Sequence, residues 1–405
     1  MRLLSRLYVQ LFLAIAAGIL LGAIRPAWAI HLKPLGDLFV GLIRLLLAPI
    51  VFGTVTLGIG KMSDLKSVGR IGLKAMIFFE LVSGLALMLG LAVANLVRPG
   101  VGMNIEAGAM PHAAVPSVLS RVLHPNVLAV ILISICVGIV LSRIEKKQRI
   151  VGMLDALLRV MFQIVRLVMY IAPLAAFGAM AYVVGTYGVG KLLPYAKLVA
   201  CIYAACLFFI FCVLGPIARF SGISLWRFLG YILDEILIVF GTCSTESVLP
   251  QMMAKLEALG CRSSLVGMVL PAGYTFNADG TSIYLTLAAL FIAQATRTPL
   301  TIRDQLTVLA VLALTSKGSA GVAGSGLVTL AATLAATNKI PAAGLTLVVG
   351  IESLLNQARA VTNVIGNGVA TVALARWEGA LDLSNARRVL QHPIRKGDEA
   401  IPPPV

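Results

Sequence analysis

An apolar stretch at residues 303–337 is interrupted near its middle by SKGSAGVAGSG at positions 316–326. Each glycine destabilises the interior of a helix by about 1 kcal/mol relative to alanine, so this run of glycines excludes one regular helix. Within a bilayer, lipid offers the freed backbone groups no partners, so such a break survives only inside protein or beside a wet cavity. The pattern predicts a re-entrant hairpin that turns at this polar run, the second tip.

A similar interruption lies earlier in the chain. The apolar stretch at 228–258 is broken by GTCSTES at 241–247, the first tip, and Pro250 follows. Each interrupted stretch is followed by a long apolar segment that contains polar residues, at 263–294 and at 341–376. Paired broken segments are typical of secondary transporters built from repeats, and they point to the substrate site. The residues alone leave open whether the repeats are inverted.

The remainder of the chain is also strongly apolar. Of 405 residues, 59% are hydrophobic and 12% are charged, whereas a soluble domain has about 45–50% and about 25%. A helix needs about 20 residues to cross a bilayer. Before residue 220, apolar segments long enough to do so lie at 7–24, 35–60, 71–98, 126–143, 157–186 and 196–218. These observations predict an all-α polytopic membrane protein.

The formal net charge of +16 would suggest nucleic acid as the partner of a soluble chain. Here the basic residues cluster at the ends of apolar runs, as at 61–70 and 143–149, which is typical of cytoplasmic loops. We therefore expect membrane lipid around the chain and no nucleic acid. The apolar run at 7–24 is longer than the roughly 7–15 residues of a signal-peptide core, which predicts a retained first helix. The tail at 383–405 is charged and then proline-rich, which predicts disorder.

The cysteines and histidines argue against a metalloenzyme. The six cysteines show no CxxC spacing, and the four histidines lie in expected loops or tails. We expect neither a metal cofactor nor a disulfide framework. An intramembrane enzyme would need a nucleophile with a base or a metal, and the sequence contains neither a membrane-embedded histidine nor a nucleophile elbow. An anion channel is another alternative, which ionic flux without coupling would distinguish.

The segment after the first tip contains a weakened helix around several polar side chains. It reads PAGYTFNADGTS at 271–282, and its proline and glycines disfavour a regular helix. Unwinding would leave carbonyl groups free to hold a cation, while Asp279 supplies charge. The alternative is a structural kink in which Asp279 caps a half-helix. A charge at membrane depth costs at least about 2.5–3.5 kcal/mol, which favours a functional role.

The last apolar segment carries a stripe of polar residues. At about 100° per residue, the following positions share one narrow face of a helix: Glu352, Asn356, Arg359, Asn363 and Asn367. A guanidinium can bind a carboxylate through two parallel hydrogen bonds, so we expect Arg359 to anchor an anionic substrate. The alternative is a structural ion pair with Glu352 or Asp279. Glu246, in the first tip, could face water, pair with a base or take part in proton coupling.

Four segments together resemble the dicarboxylate/amino acid:cation symporter family, whose best-known members are glutamate transporters. They are 240–250, 276–281, 316–326 and 350–371. Three motifs, GTxSxESxLP, YxFNxDGTSIYLT and ARAxTNxxGN, are similar to those of the bacterial aerobic C4-dicarboxylate transport proteins within that family. The resemblance extends over about residues 7–382, and motifs of this length are specific.

The resemblance implies the architecture of the glutamate transporters. It comprises eight transmembrane helices, two re-entrant helical hairpins, inverted repeats, a homotrimer and an elevator mechanism. Residues 1–220 would form a six-helix half, mostly scaffold and trimer interface, whose third and sixth helices join the transport domain. Residues 221–382 would form that transport domain, and 383–405 a cytoplasmic tail. The chain would cross the cell inner membrane several times, with both termini in the cytoplasm.

The resemblance also implies the site residues. Substrate would contact both tips and both polar segments, through Ser244, Thr245, Thr281, Gly321, Val322, Gly324, Asn356, Arg359 and Asn363. Candidates for cation or proton coupling are Asn277, Asp279, Glu246, Glu352, Ser316 and Asn367. No resident cofactor or metal is expected, and the coupling cation is H⁺ or Na⁺.

Departures from the family pattern indicate the substrate and the ion. Amino-acid carriers of the family have an aspartate at the position of Asn356, where it meets the amino group of the substrate. The neutral Asn356 therefore favours succinate, fumarate or malate over aspartate or glutamate. Sodium-coupled members have a methionine at Ala278 and an aspartate at Asn367, so proton coupling is favoured over sodium. The alternative is a sodium- or proton-coupled aspartate/glutamate symporter, and three further departures leave a shifted substrate range open: Glu352, Gln357 and Cys243.

Overall fold

The computed structural model describes residues 7–36, 69–105, 127–144, 147–316, 325–337 and 339–391, together with scattered positions between 38 and 57. Within these ranges the chain is helical and has no β-strand, and one isolated bridge joins Cys261 to Leu381. The expectation of an all-α protein is confirmed for this part of the chain.

The helices before residue 221 include one long continuous stretch. Those with bounds described at both ends are α1 Leu7–Ile24, α2 Pro26–Ala29, α3 Arg70–Val97, α4 Val127–Arg143, α5 Gln148–Met169, α6 Ala172–Tyr187, α7 Leu192–Phe208 and α8 Gly215–Phe220. Further helical residues lie at 33–36 and at scattered positions between 38 and 57, and the remainder of the predicted segment 35–60 lies outside the described residues. A π-helical turn, Phe209–Leu214, connects α7 to α8 without a break. The bounds of α1 coincide with those of the predicted first helix.

The described α-helices after residue 221 range from 5 to 26 residues in length. They are α9 Leu225–Tyr231, α10 Leu233–Thr242, α11 Leu249–Ala258, α12 Ser263–Phe276, α13 Asp279–Ala295, α14 Ile302–Thr315, α15 Ser325–Thr337, α16 Leu345–Val349, α17 Glu352–Trp377 and α18 Leu383–Gln391. α17 contains the polar stripe.

Three helical stretches of the described chain are long and apolar enough to cross a bilayer. They are Arg70–Val97, Leu192–Phe220 and Ser263–Ala295. The third is enclosed by protein, because the whole of its most apolar window is buried. α13, its second half, packs against α3, α7, α14, α15, α16 and α17. Polar groups on α13 therefore meet protein rather than lipid.

Glycines allow α1 and α6 to approach each other closely. A Cβ on Gly18 would meet the Phe177 carbonyl oxygen at 2.5 Å, and one on Gly22 would meet that of Ala181 at 2.8 Å. Small residues four positions apart are typical of helix contacts in membranes, because they allow the backbones to touch.

Two sequence expectations about the ends of segments are wrong. The apolar segment at 157–186, expected as a single span, is divided between α5 and α6. The chain turns at Tyr170, and Pro173 lies in the first turn of α6. Residues 383–391 form α18, where disorder was expected. Asp382 accepts hydrogen bonds from the Asn385 amide and the Ser384 hydroxyl at the start of α18. Residues 392–405 lie outside the described ranges.

Candidate functional site

The chain reverses direction at the first tip. Cys243 ends α10 in the left-handed region, with φ of 53°. The two arms, α10 and α11, are joined where Lys255 Nζ donates to Glu235 Oε2 at 2.7 Å and to the Tyr231 carbonyl at 2.7 Å. The Tyr231 hydroxyl donates in return to the Lys255 carbonyl at 3.0 Å. These bonds fix the position of the tip from the far end of its arms.

Within the first tip, the predicted residues differ in exposure. Thr245 is buried, Ser244 is half-buried and Glu246 is exposed. The Ser247 hydroxyl donates to the Ser244 carbonyl at 2.7 Å, which closes the turn. Thr245 and Ser244 thus face the protein interior more than Glu246 does.

The arms on either side of the second tip also contact each other. Thr315 on α14 and Thr333 on α15 share a hydroxyl hydrogen bond of 3.2 Å. Ser316 is buried, and its Oγ has no hydrogen-bond partner among the described residues. Ser325 is buried at the start of α15. The predicted substrate residues of this tip lie outside the described residues: Gly321, Val322 and Gly324.

Between α12 and α13 the helix is broken at the predicted place. Asn277 and Ala278 leave the helical region, with ψ of 77° and 56°. The amides that begin α13 find their acceptor on another helix: Asn363 Oδ1 accepts from the Gly280 amide at 2.8 Å and from the Thr281 amide at 3.3 Å. Asn363 Nδ2 donates to Thr281 Oγ1 at 2.9 Å. α17 therefore caps α13 from a distance of about eighty residues along the chain.

The close crossing of α13 and α17 depends on Gly280. A Cβ at that position would collide with the Arg359 carbonyl oxygen. A glycine is therefore required for the two polar segments to meet, and it brings the capped end of α13 within reach of Arg359.

A polar cluster surrounds the carboxylate of Asp279, which is fully buried. Asn277 Nδ2 donates to Asp279 Oδ2 at 3.0 Å, and Ser83 Oγ donates to Oδ1 at 3.5 Å. The side-chain oxygens of Asn277 and Asn367 are buried without a hydrogen-bond donor in the described part of the chain. Asn367 lies against Gly273, because a Cβ added to that glycine would be 2.5 Å from Asn367 Oδ1. The cluster thus presents buried acceptor atoms at the helix break.

Arg359 has the largest fully buried side chain among the described residues, with 1% of its surface exposed. Its Nε donates to Asn356 Oδ1, and its Nη1 donates to Ser325 Oγ at 3.3 Å. Both of these acceptors are neutral. Because α15 supplies Ser325, the arm after the second tip contacts the polar stripe directly.

Side chains from α17, the first tip and α13 also lie near Arg359. Glu352 is buried at the start of α17 and interacts electrostatically with Arg359, while its Oε1 has no hydrogen-bond partner among the described residues. Cys243 of the first tip and Tyr284 of α13 lie within electrostatic range of both. Tyr284 also packs on Gly326, whose Cβ would meet the ring at 2.9 Å.

The structure thus brings together most of the predicted site residues that it describes. All five members of the polar stripe are buried, and Thr281 joins them through Asn363. Sequence reasoning assigned Gly280 a part in weakening the helix but not in its crossing with α17, and it assigned no individual role to Ser325 or Tyr284. The position of Ser325 within the serine- and glycine-rich second tip was the available signal for it, whereas nothing in the pattern distinguished Tyr284.

The comparison with protein families decides the identity. A family model described as the sodium:dicarboxylate symporter family matches residues 7–377. The chain belongs to this family. The resemblance inferred from the motifs is therefore confirmed.

Relatives of the chain in this family carry the names of transport proteins. The chain is 49% identical to C4-dicarboxylate transport protein 3 of Ralstonia nicotianae, over 96% of the chain and 92% of the relative. It is 47% identical to the C4-dicarboxylate transport protein of Aeromonas salmonicida, over 98% and 99%. It is 48% identical to that of Anaeromyxobacter dehalogenans, over 100% and 98%. Membership of the sodium:dicarboxylate symporter family marks the chain as a transporter rather than an enzyme, in agreement with its apolar helices.

Proposed function

We propose that the chain is a secondary active symporter that imports C4-dicarboxylates such as succinate, fumarate and malate together with a cation. The observation that carries this proposal is the fully buried guanidinium of Arg359, which donates to Asn356 on its own helix and to Ser325 on the arm after the second tip. A substrate carboxylate would match its planar fork and supply negative charge. The names of relatives at 47–49% identity support the same substrate class.

The neutral side chain of Asn356 supports a dicarboxylate over an acidic amino acid. Its amide oxygen accepts from Arg359 Nε, so it lies beside the proposed carboxylate site. An amino-acid substrate would bring an ammonium group to this position and find no carboxylate on Asn356. Burying an ammonium without a counter-charge costs several kcal/mol. The alternative, an aspartate/glutamate symporter, would need its counter-charge from another residue.

The second substrate carboxylate is proposed to bind at the capped end of α13. The Thr281 hydroxyl and the second N–H of Asn363 Nδ2 would donate to it. The helix N-terminus adds a partial positive charge, although Asn363 Oδ1 already accepts from its Gly280 and Thr281 backbone amides. Residues of the two tips would close over the substrate: Ser244, Thr245, Gly321, Val322 and Gly324.

For the coupling cation we propose protons in preference to sodium. Asn367 and Ala278 stand where a sodium site would gain from an aspartate and a methionine. Glu352 offers a buried carboxyl oxygen that no described residue donates to, and protonation would remove its charge while the loaded domain moves. The other residues proposed for coupling are Asn277, Asp279, Glu246, Ser316 and Asn367.

Movement is proposed to follow an elevator mechanism in a homotrimer of the cell inner membrane. α3 and α7, the third and sixth predicted spans, pack directly on α13. This contact supports a moving domain made of residues 221–382 and these two helices, with the remainder of 1–220 as scaffold. We also propose that the two hairpin-and-helix units are inverted repeats and that both chain termini lie in the cytoplasm. Substrate and cation binding would each favour closure of the second tip, which couples the two.

The experiment that tests this function is uptake of radiolabelled succinate into proteoliposomes, under an inward proton gradient and separately an inward sodium gradient. We expect proton-driven accumulation that unlabelled malate inhibits and aspartate does not. A protonophore should abolish the accumulation. Sodium-driven uptake that aspartate inhibits would favour the amino-acid alternative instead, and flux that needs neither gradient would indicate a channel.

A further inference from the structure

Three arginines from three separate helices line one cavity, and none of them belongs to the proposed substrate site. Arg219 lies in the last turn of α8, Arg227 in α9 and Arg387 in α18. Together with Ser224 and Gln391 they line a cavity of about 520 Å³. No acidic residue is among the described residues that line it. We name this feature the arginine cavity.

The backbone that carries the arginine cavity is fixed by tight packing. Gly222 has φ of 88°, and its amide donates to the Arg219 carbonyl at 3.0 Å, which ends α8 in a defined turn. A Cβ at Gly222 would meet Leu383 at 2.8 Å, so α18 lies directly against this turn. Ala386 and Leu390 of α18 are buried. The arginines are therefore held on elements that pack against one another.

The arginine cavity collects positive charge, and no carboxylate of the described residues lines it. None of its three arginines forms a salt bridge with a carboxylate in the described ranges. Asp382, the acidic residue at the start of α18, accepts from Ser384 and Asn385. All three side chains are exposed. Their shared positive charge favours an anion in the cavity, and the guanidinium fork matches phosphate oxygens bidentately.

The surroundings of the arginine cavity are apolar and aromatic. Phe220 is 88% exposed and Trp226 is 75% exposed, and each is the chain neighbour of a cavity arginine. The Trp226 ring lies 6.4 Å from that of Phe211 on the membrane-length stretch Leu192–Phe220. Because the cavity lies at the end of that stretch, it falls at the level of a bilayer surface, where aromatic side chains concentrate. Such an apolar border favours a ligand with acyl chains, which a soluble anion lacks.

We propose that the arginine cavity binds the phosphate headgroup of an anionic phospholipid, with its acyl chains along Phe220 and Trp226. Basic pockets at the cytoplasmic surface of membrane proteins recognise acidic headgroups in this way. α18 follows the last helix of the polar segments, so the cavity shares its side of the membrane with the C-terminus. The site uses none of the residues assigned to transport, and its test is independent of the substrate.

The test is native mass spectrometry of the purified full chain, titrated with phosphatidylglycerol and separately with phosphatidylcholine. The cavity variant combines R219Q, R227Q and R387Q. Its matched control combines R262Q, R376Q and R388Q, which removes the same charge from exposed arginines that do not line the cavity. We expect the wild type and the control to prefer phosphatidylglycerol by roughly tenfold or more, and the cavity variant to lose that preference.

Three outcomes would overturn the proposal. The wild type could show no preference for the anionic lipid, or both triple variants could lose it equally, which would indicate general surface charge. Inorganic phosphate could bind the wild type as tightly as phosphatidylglycerol does, which would make the cavity a site for a soluble anion. If the triple cavity variant does not elute as a folded species in size-exclusion chromatography, the three single variants decide. At least one must then weaken phosphatidylglycerol binding, while R388Q leaves it unchanged.

Discussion

Replacement of Arg359 tests the proposed anchor of the substrate most sharply. In Arg359→Ala the substrate carboxylate loses two charge-assisted hydrogen bonds, each worth about 1.5–3 kcal/mol. The total of about 3–6 kcal/mol corresponds to a factor between about 10² and 10⁴, since about 1.4 kcal/mol is tenfold. We expect kcat/KM for succinate to fall at least about 100-fold. Arg359→Lys keeps the positive charge but loses the planar guanidinium that can form two parallel hydrogen bonds. We therefore expect kcat/KM for succinate to fall about 10–100-fold in this variant.

The assay is initial-rate uptake of labelled succinate into proteoliposomes that contain equal amounts of folded protein. Arg376→Ala is the matched control, because Arg376 lies on the same helix and is exposed. Its uptake should stay close to that of the wild type. Arg359→Ala also leaves Asn356 Oδ1 and Ser325 Oγ without their donor, so the melting temperature of each variant is measured alongside. If folded Arg359→Ala imports succinate within about threefold of the wild type, the anchor role is refuted, since the expected loss is far larger.

Three other replacements separate substrate choice, helix capping and coupling. Asn356→Asp places a carboxylate beside Arg359, so succinate uptake should fall about tenfold or more and aspartate should begin to compete for uptake. Asn363→Ala removes the acceptor of the Gly280 and Thr281 amides. It should destabilise the protein by about 1 kcal/mol, seen as a lower melting temperature, and it should also weaken succinate uptake. Glu352→Gln removes the proposed proton carrier, so exchange of internal for external succinate should persist while proton-driven accumulation is lost.

Each of these replacements has an outcome that contradicts its reasoning. Unchanged substrate preference in Asn356→Asp would remove the argument from its neutral side chain. An Asn363→Ala protein with wild-type melting temperature and wild-type uptake would show that the cap has no energetic role. Normal accumulation by Glu352→Gln would exclude Glu352 as the proton carrier. Glu257→Gln, at an exposed position on α11, is the control for loss of a carboxylate.

Features that depend on local pattern were predictable from the sequence. The bounds of α1 follow from one uninterrupted apolar run. The break at Asn277 and Ala278 follows from the proline and glycines around it, because those residues weaken a helix wherever they stand. The burial of the polar stripe follows from its helical spacing, since exposing one polar face of an otherwise apolar helix to lipid costs free energy.

Features that depend on contacts between distant segments were not predictable. The cap that Asn363 provides for α13 joins residues about eighty positions apart, and periodicity within either helix carries no information about the other. The contact between Ser325 and Arg359 is of the same kind. Hydropathy also joined α5 to α6, because one apolar run conceals a turn that only packing reveals. The order of α18 depends on its buried face, which Ala386 and Leu390 supply.

The central claim is that the site around Arg359 and Asn356 takes a dicarboxylate without an amino group. Calorimetric titration of the purified wild-type chain with succinate, and separately with aspartate, tests it most directly. We expect succinate to bind at least about tenfold more tightly than aspartate, because the neutral Asn356 supplies no counter-charge to an ammonium group beside it. Tighter binding of aspartate than of succinate would contradict the account and assign the chain to the acidic amino-acid symporters.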